Sequence, residues 1–346
     1  MERPFFKYLF ATIFLLMLIT PSNVSPAGYV GAYACFKCHP KEYNDHITSG
    51  HPYKLARAEE ARQRNIPIPE GYTWDDISYI IGGAQKKVRY IDLNGYIVTS
   101  AKDGSDLKTQ YNIETGTWVY YEKGKKKPYD CGPCHTTAYN PEGHQEGREG
   151  LIGTWAQPGI HCEACHGPGG EHIKNGSKKN IVVDTSAALC GKCHVRGNKD
   201  KIPAKNGFIS HHEQFSEFLV SPHRDLACTT CHNSHKRAKV GIIKECASCH
   251  KSQAEKYKET PMGQVGITCI DCHMPWAIES AVVRGPFKAD VRTHLVTINT
   301  DENAKMFYEE DGKLFARGYV TLDFACLYCH KNKDRKWAAK FVKTIH

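Results

Sequence analysis

Eight times along this 346-residue chain a cysteine is followed three positions later by a second cysteine and then at once by a histidine. The units are Cys35, Cys38 and His39; Cys131, Cys134 and His135; Cys162, Cys165 and His166; Cys190, Cys193 and His194; Cys228, Cys231 and His232; Cys246, Cys249 and His250; Cys269, Cys272 and His273; and Cys326, Cys329 and His330. Two thiols at this spacing can add across the two vinyl groups of one porphyrin while the adjoining imidazole turns in to ligate its iron, which is the attachment signature of c-type haem. Zinc, disulfide or thioredoxin-like roles suit paired cysteines, and Cys131-Gly132-Pro133-Cys134 alone is a thioredoxin-type pair. None of these roles needs the histidine. With 19 histidines in the chain, eight such placements by chance have odds on the order of one in ten billion. All sixteen cysteines are consumed, so eight covalent haem c groups and no disulfide are expected.

The sixth coordination position decides what such an iron does: filled by a second side chain it carries electrons, and open it can bind a small molecule. Eleven histidines lie outside the motifs: His46, His51, His144, His161, His172, His211, His212, His223, His235, His294 and His346. Supply exceeds the demand of eight irons, which favours filled positions. Adjacent side chains diverge, so His211 and His212 supply one ligand, or two if haems lie on either side. His346 falls on the apolar stripe Ala338, Phe341, Val342 and Ile345 of a closing helix over 334–346, where it would be a ligand within its own subunit or to the next in a filament. His46, His144 and His161 read as surface or propionate-bonding residues. Met262, Met274 and Met306 are the thioether alternatives, and Met274 directly follows His273, badly placed for the same iron.

The elements that hold these residues are short. A chain with 29 glycines and 17 prolines reads as loops and short α-helices wrapped on a closely packed haem chain, with porphyrins replacing much of the side-chain core. Residues 53–64, rich in Ala, Glu, Arg and Lys, read as a helix. In the long interval before Cys131, strand-like residues flank Asn94-Gly95 and Thr115-Gly116, which predicts a small antiparallel β insertion over 87–122, between haems 1 and 2. Later motifs follow at intervals of 31, 28, 38, 18 and 23 residues, and the interval of 18 makes haems 5 and 6 neighbours. The Gly/Lys-rich stretch 197–207 reads as a flexible bridge.

Arg3 and Lys7, the apolar run 8–19 and Ser25-Pro26-Ala27 predict a secretory signal over 1–27, followed by one octahaem domain over 28–346 with no later membrane anchor. The product is expected in the periplasm, at the cell surface or outside the cell. A formal charge of +9 would ordinarily suggest an anionic partner. Eight oxidised haems, each with two propionates, bring roughly −8, so the basic residues serve propionates and no nucleic-acid partner is expected.

The chain resembles bacterial multihaem cytochromes, of the families of tetrahaem carriers, decahaem conduits and extracellular filament-forming cytochromes. In the stretch from Cys162 to His172, which runs on through Gly167-Pro168-Gly169-Gly170-Glu171, the resemblance implies that His172 ligates a neighbouring haem. It likewise implies that His232 and His235 serve two different haems, and that His51, His223 and His294 are further distal ligands. The function so implied is electron transfer through eight haems in respiratory or extracellular electron transfer, with redox proteins or an extracellular acceptor as partners and a homopolymeric filament as one assembly. The alternative is an oxidoreductase acting on a nitrogen or sulfur oxyanion at one open haem.

Overall fold

The computed structural model describes residues 28–345 with the exception of His212; the segment 1–27 and His346, on which the signal and the terminal ligand were expected, lie outside the described residues. Its largest regular element precedes the second motif. Seven strands, β1 (Leu55–Arg57), β2 (Ile77–Gly82), β3 (Lys87–Asp92), β4 (Tyr96–Ile97), β5 (Gln110–Asn112), β6 (Thr117–Val119) and β7 (Lys127–Pro128), form an antiparallel sheet in the order β1-β2-β3-β4-β7, with β5 joining β3 to β6. Alternation sends Leu55, Tyr79, Ile81, Ile91 and Ile97 into one cluster with Tyr129, Leu151 and Trp155. Ala56, Ile80, Val88, Tyr90 and Val98 go into a second cluster with Ala58 and Ala61. The two-residue period of a strand thus gives one sheet two buried faces, and truncating Tyr79 or Ile80, both fully buried, would cost about 2–5 kcal/mol.

Both expected hairpins are present. Asp92 Oδ1 accepts from the backbone N–H of Asn94 and of Tyr96, each at 2.9 Å, and Gly95 turns at φ +92°. A Cβ at Gly95 would meet the backbone nitrogen of Leu151 at 2.6 Å, so glycine is needed for the close approach as well as for the turn. The sheet is larger than the expected 87–122, however. Residues 53–64 are not one helix: β1 takes Leu55–Arg57, and only Ala58–Arg62 is α-helical. The buried strand β2 opposite draws Leu55 and Ala56 into the sheet, overriding helix propensity.

A second sheet lies further along the chain, with β8 (Ile202–Lys205), β9 (Phe208–Ser210), β10 (Ile278–Glu279), β11 (Phe307–Glu310) and β12 (Lys313–Ala316) in the order β10-β9-β8-β12-β11. Its core is Ile202, Phe208, Ile209, Ile278, Leu295, Met306, Val320 and Phe324, which removes Met306 from the thioether candidates. The stretch 197–207 is therefore no flexible bridge, since β8 pairs on both edges. Asn206 and Gly207, at φ +53° and +80°, make the two-residue turn of a hairpin, as Asp311 and Gly312 do between β11 and β12. The closing helix runs over Arg335–Phe341, capped by Asp334, whose carboxylate accepts from the Trp337 N–H at 2.7 Å, and a 3-10 turn follows at Val342–Thr344.

Candidate functional site

Each cysteine pair sits on one tight helical turn. The backbone N–H of the second cysteine donates to the carbonyl of the first in the motifs beginning at Cys35, Cys131, Cys190, Cys228, Cys246 and Cys326, at 3.1–3.3 Å. The histidine N–H closes on the first cysteine at 2.9–3.0 Å in the motifs ending at His39, His194, His232, His250 and His330. Gly132–His135, Cys162–His166 and Cys269–His273 are single helical turns. None of the sixteen cysteines is paired in a disulfide, and among the described residues no group of three His, Cys, Asp or Glu gathers as a metal cluster. Each turn thus projects two thiols and an imidazole from one short strip, the donor set of one haem.

Two imidazoles binding one iron from opposite faces, with iron–nitrogen bonds of about 2 Å, stand with ring centroids roughly 6 Å apart. Among the described residues, five motif histidines have a non-motif histidine at that spacing: His39 with His172 at 6.3 Å, His166 with His235 at 6.1 Å, His194 with His51 at 6.3 Å, His232 with His294 at 6.2 Å, and His250 with His223 at 6.0 Å. Hydrogen bonds orient several of these rings. The Nδ1 of His166, His172 and His273 donates to the carbonyls of Val182, Ser177 and Val296 at 2.7, 2.9 and 2.8 Å, leaving Nε2 as the lone-pair nitrogen. His46 and His161 are wired the other way, with Nε2 at 3.0 Å from the carbonyls of Ile160 and Pro158. That spends the ligating nitrogen. His46 is also buried rather than on the surface, and burial holds its pKa down to about 4. His144 is exposed, with Nδ1 at 3.2 Å from the Leu151 carbonyl.

The motifs touch one another. Thiols of different motifs lie close enough to act on one another at Cys35 and Cys162, at Cys134 and Cys193, and at Cys190 and Cys228. Cys134 Sγ also donates to the Lys192 carbonyl and Cys193 Sγ to that of Pro133, both at 3.9 Å. Cys165 lies within electrostatic range of Cys190, Cys246 of Cys231 and Cys269, and Cys272 of Cys326 and Cys329. Numbered along the chain, the motifs make a file 1-3-4-5-6-7-8, with motif 2 joined to motif 4. The linker to the sixth motif folds back on the fifth through the bridge between His232 and Ile242 and through the Ile243 N–H, which donates to the Cys231 carbonyl at 2.9 Å.

His135 is not among the five. Among the described residues no imidazole occupies the opposed position; the aromatic ring beside it is that of Tyr129, with centroids 6.4 Å apart, and the Tyr129 hydroxyl is buried without a hydrogen-bond partner. Burial first, and then the cations Lys54, Arg89 and Arg196, hold its imidazole down to about pKa 3. Arg89 lies over the Tyr121 ring at 3.5 Å and donates from Nε to Gln110 Oε1 at 2.7 Å. Arg196 Nη2 donates to His211 Nε2 at 3.2 Å, so His211 contacts a guanidinium. His330 packs on Trp337 at 4.8 Å.

A cofactor-sized core fits this chain. Between Trp155 and Ile202, which contain motifs 3 and 4, no described apolar side chain is buried; between Ile209 and Ala277, which contain motifs 5, 6 and 7, only those of Tyr257 and Pro275 are, among the described residues. Segments with so little apolar burial hold their shape only around something else. The family described as Cytochrome c554 and c-prime matches residues 98–167. Multiheme cytochrome MtrA of Shewanella baltica (strain OS185) is 31% identical over 163 residues, 42% of this chain and 45% of that protein. The chain is a multihaem c-type cytochrome. Dissimilatory sulfite reductase MccA of Wolinella succinogenes is 20% identical over 87% of this cytochrome and 61% of its own length, so the chain spans roughly half of the curated relatives it matches. In fold the cytochrome is similar to the solved octaheme sulfite reductase MccA of Wolinella succinogenes, with TM-score 0.65, 19% identity and coverage of 87% of this chain and 65% of that one. It is also similar to the outer cell wall cytochrome OcwA, with TM-score 0.62, 18% identity and coverage of 92% and 86%. Among the described residues no helix is long and apolar enough to cross a membrane. The opposed histidines carry local signals, such as His172 shortly after His166, whereas the gathering of Lys54, Arg89 and Arg196 at His135 has none.

Proposed function

We propose that this cytochrome holds eight haem c groups, one on each cysteine-cysteine-histidine turn, and passes electrons along them between redox partners. When bound, each haem supplies reversible one-electron exchange at its iron. The residues do the rest. Sixteen thiols fix the porphyrins, the eight motif histidines ligate from one side, and His51, His172, His223, His235 and His294 ligate from the other. His212, His346 and His211, the last through Nδ1 because its Nε2 meets Arg196, are the remaining ligand candidates. The contacts between turns keep the cofactor sites adjacent in the file 1-3-4-5-6-7-8, with site 2 as a branch on site 4. The observation carrying this reading is the five opposed histidine pairs at 6.0–6.3 Å. A signal over 1–27 would export the chain as one octahaem domain to the periplasm or beyond, where a redox protein, an extracellular acceptor or a further copy of the chain would be its partner. Intact mass should show eight added haems, and electron paramagnetic resonance of the oxidised protein should be mainly low-spin. Fewer haems, or a mainly high-spin spectrum, would sink the reading.

One observation favours a second activity on the same chain. His135 has three cations near it and no described imidazole opposite. That arrangement suits an iron with an open position and a nitrogen or sulfur oxyanion drawn to it. Reduced protein should then turn over nitrite or sulfite with loss at Arg196→Gln, and absence of turnover with both leaves electron transfer alone.

A further inference from the structure

A cavity of about 300 Å³ lies away from His135, between the turn that carries His51 and the loop that follows His235. Its polar lining is Arg64, Arg237, Thr48, Ser49 and Gln85, and no acidic side chain reaches it. Arg64 lies over the Tyr53 ring, its guanidinium carbon 4.9 Å from the ring centroid, and both its Nη atoms are buried without a hydrogen-bond partner. A guanidinium has five donors in a planar fork, and leaving two inside the protein unsatisfied is among the costlier things a fold can do. Tyr53 is itself fixed, its hydroxyl donating to the Ile47 carbonyl at 2.8 Å, so the ring that supports Arg64 is held in place. Among the described residues neither Arg64 nor Arg237 forms an ion pair; Glu60 acts on Arg64 only through its field.

We propose that this cavity is an anion site, in which a carboxylate or small oxyanion takes the two free Nη donors of Arg64 side by side while Arg237 closes over it. Bidentate pairing is what this fork is shaped for, and an anion there would satisfy both buried donors. Ser49 adds a hydroxyl of the kind that completes such a shell, that of Thr48 being donated to the Asp45 carbonyl at 2.7 Å, and Gln85 adds an amide, its Nε2 standing 3.3 Å from where a Cβ on Gly50 would be. The anion has two sources with one chemistry. A haem propionate from the sites of the adjacent His51 or His235 would make the cavity part of cofactor binding, and a free oxyanion would make it a separate ligand site.

The test uses the mature holoprotein, wild type against Arg64→Gln, Arg64→Lys and Arg237→Gln, with haem content checked first. Inorganic sulfate is titrated by calorimetry, and the midpoint potentials are followed by spectroelectrochemistry. A free-anion site gives saturable sulfate binding that weakens roughly tenfold or more in Arg64→Gln, with unchanged potentials. A propionate in the cavity gives no sulfate binding, but one midpoint falls in Arg64→Gln, as loss of a nearby cation requires, and Arg64→Lys restores it in part. If sulfate does not bind and every midpoint stays in place in both glutamine variants, the proposal is overturned. Arg237→Gln, at an exposed side chain, carries the same readings if Arg64→Gln disturbs packing.

Discussion

Motif 2 and motif 4 touch through Cys134 and Cys193, and their histidines sit on similar turns, yet what stands across from the two rings differs. His194 faces His51 at 6.3 Å, with Nδ1 at 3.3 Å from Gln214 Oε1. His135 has Tyr129 at its side, an Nδ1 with no hydrogen-bond partner, and Lys54, Arg89 and Arg196 in its field. Attachment is thus a local property, set by five consecutive residues, whereas axial chemistry is tertiary. It depends on which remote segment the fold brings to the other face. Two neighbouring turns with the same cysteine-cysteine-histidine pattern can therefore be given different work.

The sharpest way to break this contrast is to remove His51. His51→Ala should convert the iron at His194 from low-spin to high-spin, adding one full haem equivalent of high-spin signal in electron paramagnetic resonance, while His46→Ala adds none because its Nε2 is spent on the Ile160 carbonyl. An unchanged high-spin fraction in His51→Ala would mean that the ring pair does not span an iron.

A second comparison separates charge from access. The reduced wild-type protein should bind one equivalent of carbon monoxide, at the His135 site, and its affinity for nitrite or sulfite should fall about tenfold in Arg89→Gln and in Arg196→Gln, the loss of one charged hydrogen bond or less. Carbon monoxide, being uncharged, should bind both variants within about twofold of wild type. Equal loss of both ligands would point to a collapsed site rather than to lost cations.

How far the sequence speaks follows the same division. Cysteine spacing is local, and every motif proves to be one helical turn. Asn94-Gly95 and Thr115-Gly116 were legible as hairpins because the turn conformation is written in the two residues themselves. Asn206-Gly207 carries the same mark, but the lysines and glycines around it read as a flexible segment, and β12, which pairs with β8, lies about a hundred residues away. The helix expected at 53–64 failed for a like reason, since the strand that captures Leu55 is distant in sequence. Lys54, Arg89 and Arg196 come from three separate segments, and no one-dimensional pattern announces their meeting at His135.

The finest test of the contrast is a proton. Lys87 lies in the same basic group: burial, with Arg89 and Arg196 adding to it against the fields of Asp290 and Glu279, lowers its ammonium from 10.5 to about 7, while Nζ donates to the Ser280 carbonyl. A group whose folded pKa lies below its unfolded value is deprotonated in the native state over a window where the unfolded chain still holds the proton, here from about pH 7 to 10.5. The Lys87 contribution to stability should therefore rise with pH across that window, and Lys87→Met should remove it in denaturation series at pH 7 and 9. Anion binding has the opposite slope, because a bound anion favours the charged ammonium. Nitrite or sulfite affinity at the His135 site should thus strengthen a few-fold as pH drops from 8 to 6, and Lys87→Met should flatten that dependence. The His51–His194 pair supplies the control, since no acid or base of that pair takes part: its low-spin signal should hold across the same pH range in both proteins. If the anion affinity of Lys87→Met keeps the full wild-type pH slope, Lys87 is not part of the group that distinguishes the two sites.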